Sequence, residues 1–182
     1  MTDLSKLSEP LSAHQVEFRV QSINKGGYAT ILVYKDARCD QQRLDDSVGA
    51  LNWKRAHVNG NHNCIVSIWC GDKKEWVSKE DTGTESNAEA AKGLASDSFK
   101  RACFNWGIGR ELYSYPIISI KLNPNEVDLT ATPRPKSTWN LKLKEWTWYS
   151  EFEGNQITFL AAQDNNNQTR FKWGTMKKGK NK

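Results

Sequence analysis

Apolar and polar positions change rhythm several times along this chain, and each change predicts an element. "YATILVY" (28–34) is β-branched and aromatic, which predicts a strand. "KDARCDQQRLDDSVG" (35–49) is polar with helical spacing and closes on Gly49, a residue suited to ending a helix. Three short strands follow, "WKRAHV" (53–58), "HNCIVSIWC" (62–70) and "EWVSKE" (75–80), separated by the turns "NGN" and "GDKK". The middle strand is apolar at Cys64, Val66, Ile68 and Cys70 and mixed on the other parity. An antiparallel meander covered on at least one face follows from that. "DTGTESNAEAAKGLASDSFKRACFNWGIG" (81–109) holds the longest helix, with Ser86 or Asn87 as its cap, Glu89 in its first turn and Gly107 at its end.

The flanks are less regular. "SEPLSAHQVEFRVQSI" (8–23) has the look of a helix, with Ser8 as cap and Pro10 in the first turn, broken by "NKGG". Residues 122–138 carry three prolines and read as a linker. From Trp139 to Trp173 the chain is rich in tryptophan, and Trp139, Leu141 and Leu143 alternate with Asn140, Lys142 and Lys144, which predicts a small β module. The expected class is α+β: a β-α-β-β-β-α core over 1–121, a linker over 122–138, a β-rich module over 139–176 and a disordered basic tail over 177–182.

A wheel at 100° per residue sorts the long helix into faces. With Lys100 at zero, Ala88, Ala91, Ala95, Phe99, Ala102 and Trp106 fall at roughly 180° to 260°, one narrow stripe suited to close packing on a sheet. Lys100 points the other way, with Gly93, Phe104, Asp97 and Arg101 on or beside that far face. A solvated surface with an ordinary Asp97–Arg101 pair explains two cations there. Phe104 and Gly93 sit poorly with it. A cation, an aromatic and a glycine on one face suit a close partner: a phosphate backbone with its bases, or another subunit.

Charge sharpens this reading. The 182 residues carry 26 Lys and Arg against 21 Asp and Glu, a net +5. Residues 1–130 hold 16 against 17 and residues 131–182 hold 10 against 4, so the basic character belongs to the C-terminal third. That points to nucleic acid or an acidic surface, with solubility as the plain alternative. Cys39, Cys64, Cys70 and Cys103 show no paired spacing, which suits reduced thiols in a cytoplasmic setting, the host's cytoplasm if the chain is phage-encoded. Neither a signal-peptide core at the N-terminus nor an apolar run of about 18 residues is present in the sequence.

"KEDTG" followed by "AAKGLASDSFKRACFNWGIGRELY" resembles the signature of the Rad-fifty-two family of single-strand annealing proteins, and most of all its Sak-type phage annealases. The similarity covers roughly residues 15–115, and the order of elements agrees. The resemblance implies a curled β-sheet carrying a long helix, homo-oligomeric rings, and single-stranded DNA in a basic groove, with complements annealed without ATP in recombination and repair. It implies that Lys100 and Arg101 line the inner groove, that Tyr34 is a groove tyrosine and that Arg19 is the N-terminal groove arginine. The spacing from Arg19 to Tyr34 is longer here than in the family. Where eukaryotic members carry a third cation, this chain has Phe104, and Arg110 or Arg55 is the candidate to compensate. Further expected partners are a host single-strand-binding protein or an exonuclease.

Lys and Arg on phosphates would hold strands with their bases free, and Tyr34 or Phe104 would stack on bases without reading them. No cofactor, metal or enzymatic role is expected. "GxxxxGK[ST]" is missing from the sequence, and "GIG" (107–109) lacks the third glycine of a dinucleotide motif and follows a helix. His62 and Cys64 have no second pair at metal-ligand spacing. Asp45, Asp46, Asp72, Glu80 and Asp81 have no acidic-x-Lys strand motif beside them, which argues against a nuclease. Asp81 and Gly83 are expected to shape the turn into the helix. Two alternatives stay open. One is a single-strand-binding or scaffold protein without annealing activity. The other gives Trp139, Trp146, Trp148 and Trp173, with Lys142, Lys144, Arg170 and Lys172, a binding surface of their own, against a plain role as the module's core.

Overall fold

A computed structural model of the chain describes residues 4–84 and 90–176. In chain order the elements are β1 (Val16–Ile23), β2 (Tyr28–Lys35), α1 (Ala37–Val48), β3 (Trp53–Val58), β4 (Asn63–Cys70), β5 (Glu75–Thr82), α2 (Ala90–Asn105), β6 (Ile118–Lys121), β7 (Val127–Asp128), β8 (Lys136–Ser137), β9 (Thr147–Glu153), β10 (Gln156–Gln163) and β11 (Thr169–Gly174). The class is α+β, as expected. The chain packs as two compact units, one of residues 1–11 and 35–110, the other of 12–34 and 111–182. These boundaries differ from a division at residue 121.

The first unit is the meander β3-β4-β5 with both helices packed by it. The "NGN" turn forms through three successive left-handed residues, Asn59, Gly60 and Asn61. Cys64, Val66 and Ile68 of β4 point into a core with Leu44, Val48, Phe99, Ala102, Cys103 and Ile108. Asp36 caps α1 by accepting from the Arg38 amide, and Gly49 ends that helix at φ 84°. Gly107 follows α2 at φ 103°. A Cβ on Gly83 would lie 2.6 Å from the Ser98 backbone nitrogen, so only glycine lets the chain after β5 lie this close to α2. The expected caps Ser86 and Asn87 and the tail 177–182 lie outside the described residues.

The second unit has two three-stranded sheets, β1-β2-β6 and β11-β10-β9. They share one core: Ile23, Ala29, Ile31, Ile118 and Ile120 from the first, Ile157, Leu160 and Ala162 from the second, with Leu143 and Trp146. The helix expected over 8–23 is absent. Ser12 and Gln15 do form a capping box, but it closes only the single 3-10 turn Ala13–Gln15. From Val16 the pattern has period two, and a strand wins because alternate side chains have a sheet face to enter.

The expected linker is also ordered. β7 pairs with β8, and Glu126 is buried against Arg170, which the partner's distance along the chain concealed. The alternation from Trp139 to Lys144 belongs to a turn and the 3-10 helix Leu143–Glu145; the strand starts at Thr147. The tryptophans divide. Trp146 is in the core and Trp148 stacks on Phe18 with ring centroids 3.7 Å apart, while Trp139 and Trp173 are exposed.

Candidate nucleic-acid interface

Helix α2 packs on β4 and β5 as its small-residue stripe requires. Phe99 and Ala102 are fully buried, and Leu94, Ser98 and Cys103 widen the buried face. Ser98 explains how a hydroxyl is tolerated there: its Oγ donates to the Asn61 carbonyl, 3.0 Å away. Lys100, Arg101 and Phe104 remain half-exposed on the far side.

The two cations face different acids. Lys100 lies near the start of α1, where its charge helps hold the Asp36 carboxyl below its usual range, after the hydrogen bonds from Arg38. Arg101 reaches Asp81 across 3.4 Å. The Asp97–Arg101 pair of the plain solvated-surface alternative does not form: Asp97 instead accepts from the Thr84 amide at 2.9 Å and fastens the chain after β5 to the helix. The Arg101–Asp81 pair is long and partly exposed, so it holds the guanidinium only weakly.

Phe104 acquires a structural reason. Beneath it lies Lys35, 2% exposed, whose Nζ stands 4.4 Å from the ring centroid. The same ammonium pairs with Asp40 and donates to the Ile108 carbonyl at 2.8 Å. A cation in place of Phe104 would face this ammonium directly. Burial pushes the Asp40 carboxyl up to about 6, with Lys35 and Lys100 opposing that rise. Its Oδ2 has no hydrogen-bond partner among the described residues.

The remaining candidates are occupied locally. Arg110 donates to the Phe104 and Asn105 carbonyls, at 2.6 and 2.9 Å, and so closes the C-terminus of α2. The Arg55 guanidinium lies 4.6 Å from the Phe99 ring centroid. Arg19 and Tyr34 belong to the second unit, where the guanidinium stands 5.2 Å from the tyrosine ring centroid and the Tyr34 hydroxyl donates to Glu17 at 2.6 Å. Sequence reasoning missed Lys35 and Asp40 altogether. The lysine ending an apolar strand just before a helix cap was the available signal.

Among the described residues, no three His, Cys, Asp or Glu side chains are grouped to hold a metal ion. All four cysteines are free. No described helix is long and apolar enough to cross a membrane.

The chain is 33% identical over 122 residues to the single-stranded DNA-binding protein DdrA of Deinococcus radiodurans. The match covers 64% of this chain and 57% of DdrA, so the chain spans a little over half the length of that relative. No family model and no solved structure matches the chain.

Proposed function

We propose that this protein binds single-stranded DNA and anneals complementary strands without nucleotide hydrolysis, assembled as a homo-oligomer. The observation that carries the reading is the far face of α2, where Lys100 and Arg101 stand half-exposed while the opposite face is spent on packing. The likeness to DdrA supports the nucleic-acid part. The resemblance of residues 92–113 to the annealase signature supports the strand-pairing part. Lys100 and Arg101 hold phosphates and leave bases free to pair. Arg19 and Tyr34 supply a second cation–aromatic pair, and Arg55 and Arg110 add charge beside their packing roles.

The test mixes complementary fluorescent oligonucleotides with the protein in EDTA and without ATP. Duplex should form faster than in the protein-free control. Retention of single strands in a gel shift without acceleration would leave a binding protein that does not anneal. Oligomers without retention would leave a scaffold.

A further inference from the structure

The second unit contains an exposed aromatic that its own packing does not use. Trp139 is 79% exposed, the most exposed tryptophan among the described residues. Leaving so large an apolar ring in water is unfavourable unless something else covers it. Its backbone is nonetheless held firmly on both sides. The Thr138 hydroxyl donates to the Asn125 carbonyl at 2.6 Å, and the Asn140 side-chain amide donates to the same oxygen at 3.0 Å. The Thr138 amide donates to the Glu126 carbonyl at 2.9 Å. Glu126 in turn is fixed by the Arg170 guanidinium at 2.7 Å. A buried ion pair therefore anchors the turn that presents this ring.

Beside it runs an open groove of about 490 Å³. Arg19, Trp139, Leu141, Lys142 and Lys144 line it, along with one carboxylate, Glu145. That carboxylate accepts from the Asn165 side chain at 2.5 Å. The Lys142 ammonium lies 5.3 Å from the Trp139 ring centroid. Three cations against one acid, beside an exposed ring on an anchored turn, form an apolar platform flanked by groups suited to phosphate. That combination suits a single strand with unstacked bases better than a duplex, whose bases offer no free face.

We infer that this groove is a second contact for single-stranded DNA, in which Trp139 stacks on a base and Lys142, Lys144 and Arg19 hold the adjacent phosphates. This rests on the reading of the protein as a single-strand binder and adds a site within the second unit. Stacking here makes the contact sensitive to the bases as well as to charge.

The test compares a thirty-residue oligothymidylate with an abasic oligonucleotide of the same length, by fluorescence anisotropy on the full chain. Trp139→Ala should weaken oligothymidylate binding about tenfold and leave the abasic strand unchanged. Trp139→Phe should restore most of the loss. Lys142→Ala with Lys144→Ala should weaken both strands alike and flatten the salt dependence. A thermal melt should be unmoved by Trp139→Ala, since the ring is exposed. Wild-type affinity in Trp139→Ala, or equal losses on both strands, would overturn the stacking site while leaving the Lys100–Arg101 reading intact. Failure of the wild-type protein to bind either strand would overturn both.

Discussion

In the unit built on α2, the buried cation is Lys35, held by Asp40, the Ile108 carbonyl and the Phe104 ring, with one Asp40 oxygen left without a hydrogen bond among the described residues. In the unit built on two sheets it is Arg170, which reaches Glu126 at 2.7 Å and Asp164 at 3.0 Å and also donates to the Lys121 carbonyl. A planar guanidinium with several donors satisfies two carboxylates; a single ammonium deep in an apolar core does not fully satisfy one. The pair in the first unit therefore carries more uncompensated desolvation, and the second is the better-satisfied network. The Lys35 pair lies beneath Phe104 on the far face of α2, and the Arg170 pair anchors the Trp139 turn.

Removing one partner should separate the two most widely. Asp40→Ala leaves a buried ammonium and should cost about 3–5 kcal/mol, measured by urea unfolding of the full chain. Lys35→Met with Asp40→Leu should recover most of that, since the charges disappear together. Arg170→Ala leaves Glu126 and Asp164 without their guanidinium but still accepting from backbone amides, and should cost about 3 kcal/mol or less. A larger loss for Arg170→Ala would reverse the ranking of the two networks.

The pH dependence should have opposite signs in the two units. Asp40 titrates at about 6 when folded against an ordinary 3.8, so the native state binds the extra proton between those values. Its contribution favours folding below pH 3.8 and is lost as pH rises through about 6, on the order of 2–3 kcal/mol in full. Burial alone would push Glu126 and Asp164 up, but hydrogen bonds from Arg170 and from backbone amides outweigh it and hold both below their usual values. Their contribution is present above the ordinary values of 4.5 and 3.8 and fades as pH falls through the lower folded values. Asp40→Asn should therefore flatten the stability profile between pH 4 and 6, while Glu126→Gln should flatten it only at lower pH. The same change from both variants would remove the distinction.

The contrast also marks what was legible in the sequence. The meander and α2 were readable because their partners are near in sequence and their apolar positions keep a strict period: Cys64, Val66 and Ile68 on β4, and Phe99 and Ala102 on α2. The "KR" pair and the odd Phe104 could be placed on a face by the wheel alone. That Phe104 covers Lys35 could not, because β2 showed only a run ending in a lysine. In the second unit β2 was readable as a β-branched run, but its flanks and long-range partners were harder. Glu126 and Arg170 meet across 44 residues, so a proline-rich stretch looked like a linker. Ser8 and Pro10 looked like a helix start, but the capping box that forms, Ser12 with Gln15, closes only one 3-10 turn. Trp139 to Lys144 alternated like a strand, yet only Leu143 of the apolar set is buried. Local period identifies an element only when a single face decides the burial.

Binding should separate the units by mechanism. Lys100→Ala with Arg101→Ala should lower single-strand affinity about tenfold at low salt and reduce the slope of log K against log salt by about 1.4, the value for two phosphate contacts. Because both side chains are half-exposed, unfolding should shift by no more than about 1 kcal/mol. Unchanged affinity would return the far face of α2 to an ordinary solvated surface.

The smallest effect concerns where the net charge resides. The first unit holds 13 Lys and Arg against 13 Asp and Glu, while the second holds 13 against 8, so the whole +5 belongs to the second. Four of those cations lie in residues 177–182; without them the second unit is +1. Residues 12–34 and 111–176 are therefore nearly as balanced as the first unit, and the excess lies in the lysines of 177–182. These lysines attract phosphate through screened charge and add no stacking. Deleting 177–182 should weaken single-strand binding by about threefold near 0.05 M salt and by almost nothing near 0.3 M, by anisotropy at both salts. A loss of equal size at both salts would show that the tail makes a defined contact and places a third binding element beside the α2 face and the Trp139 groove.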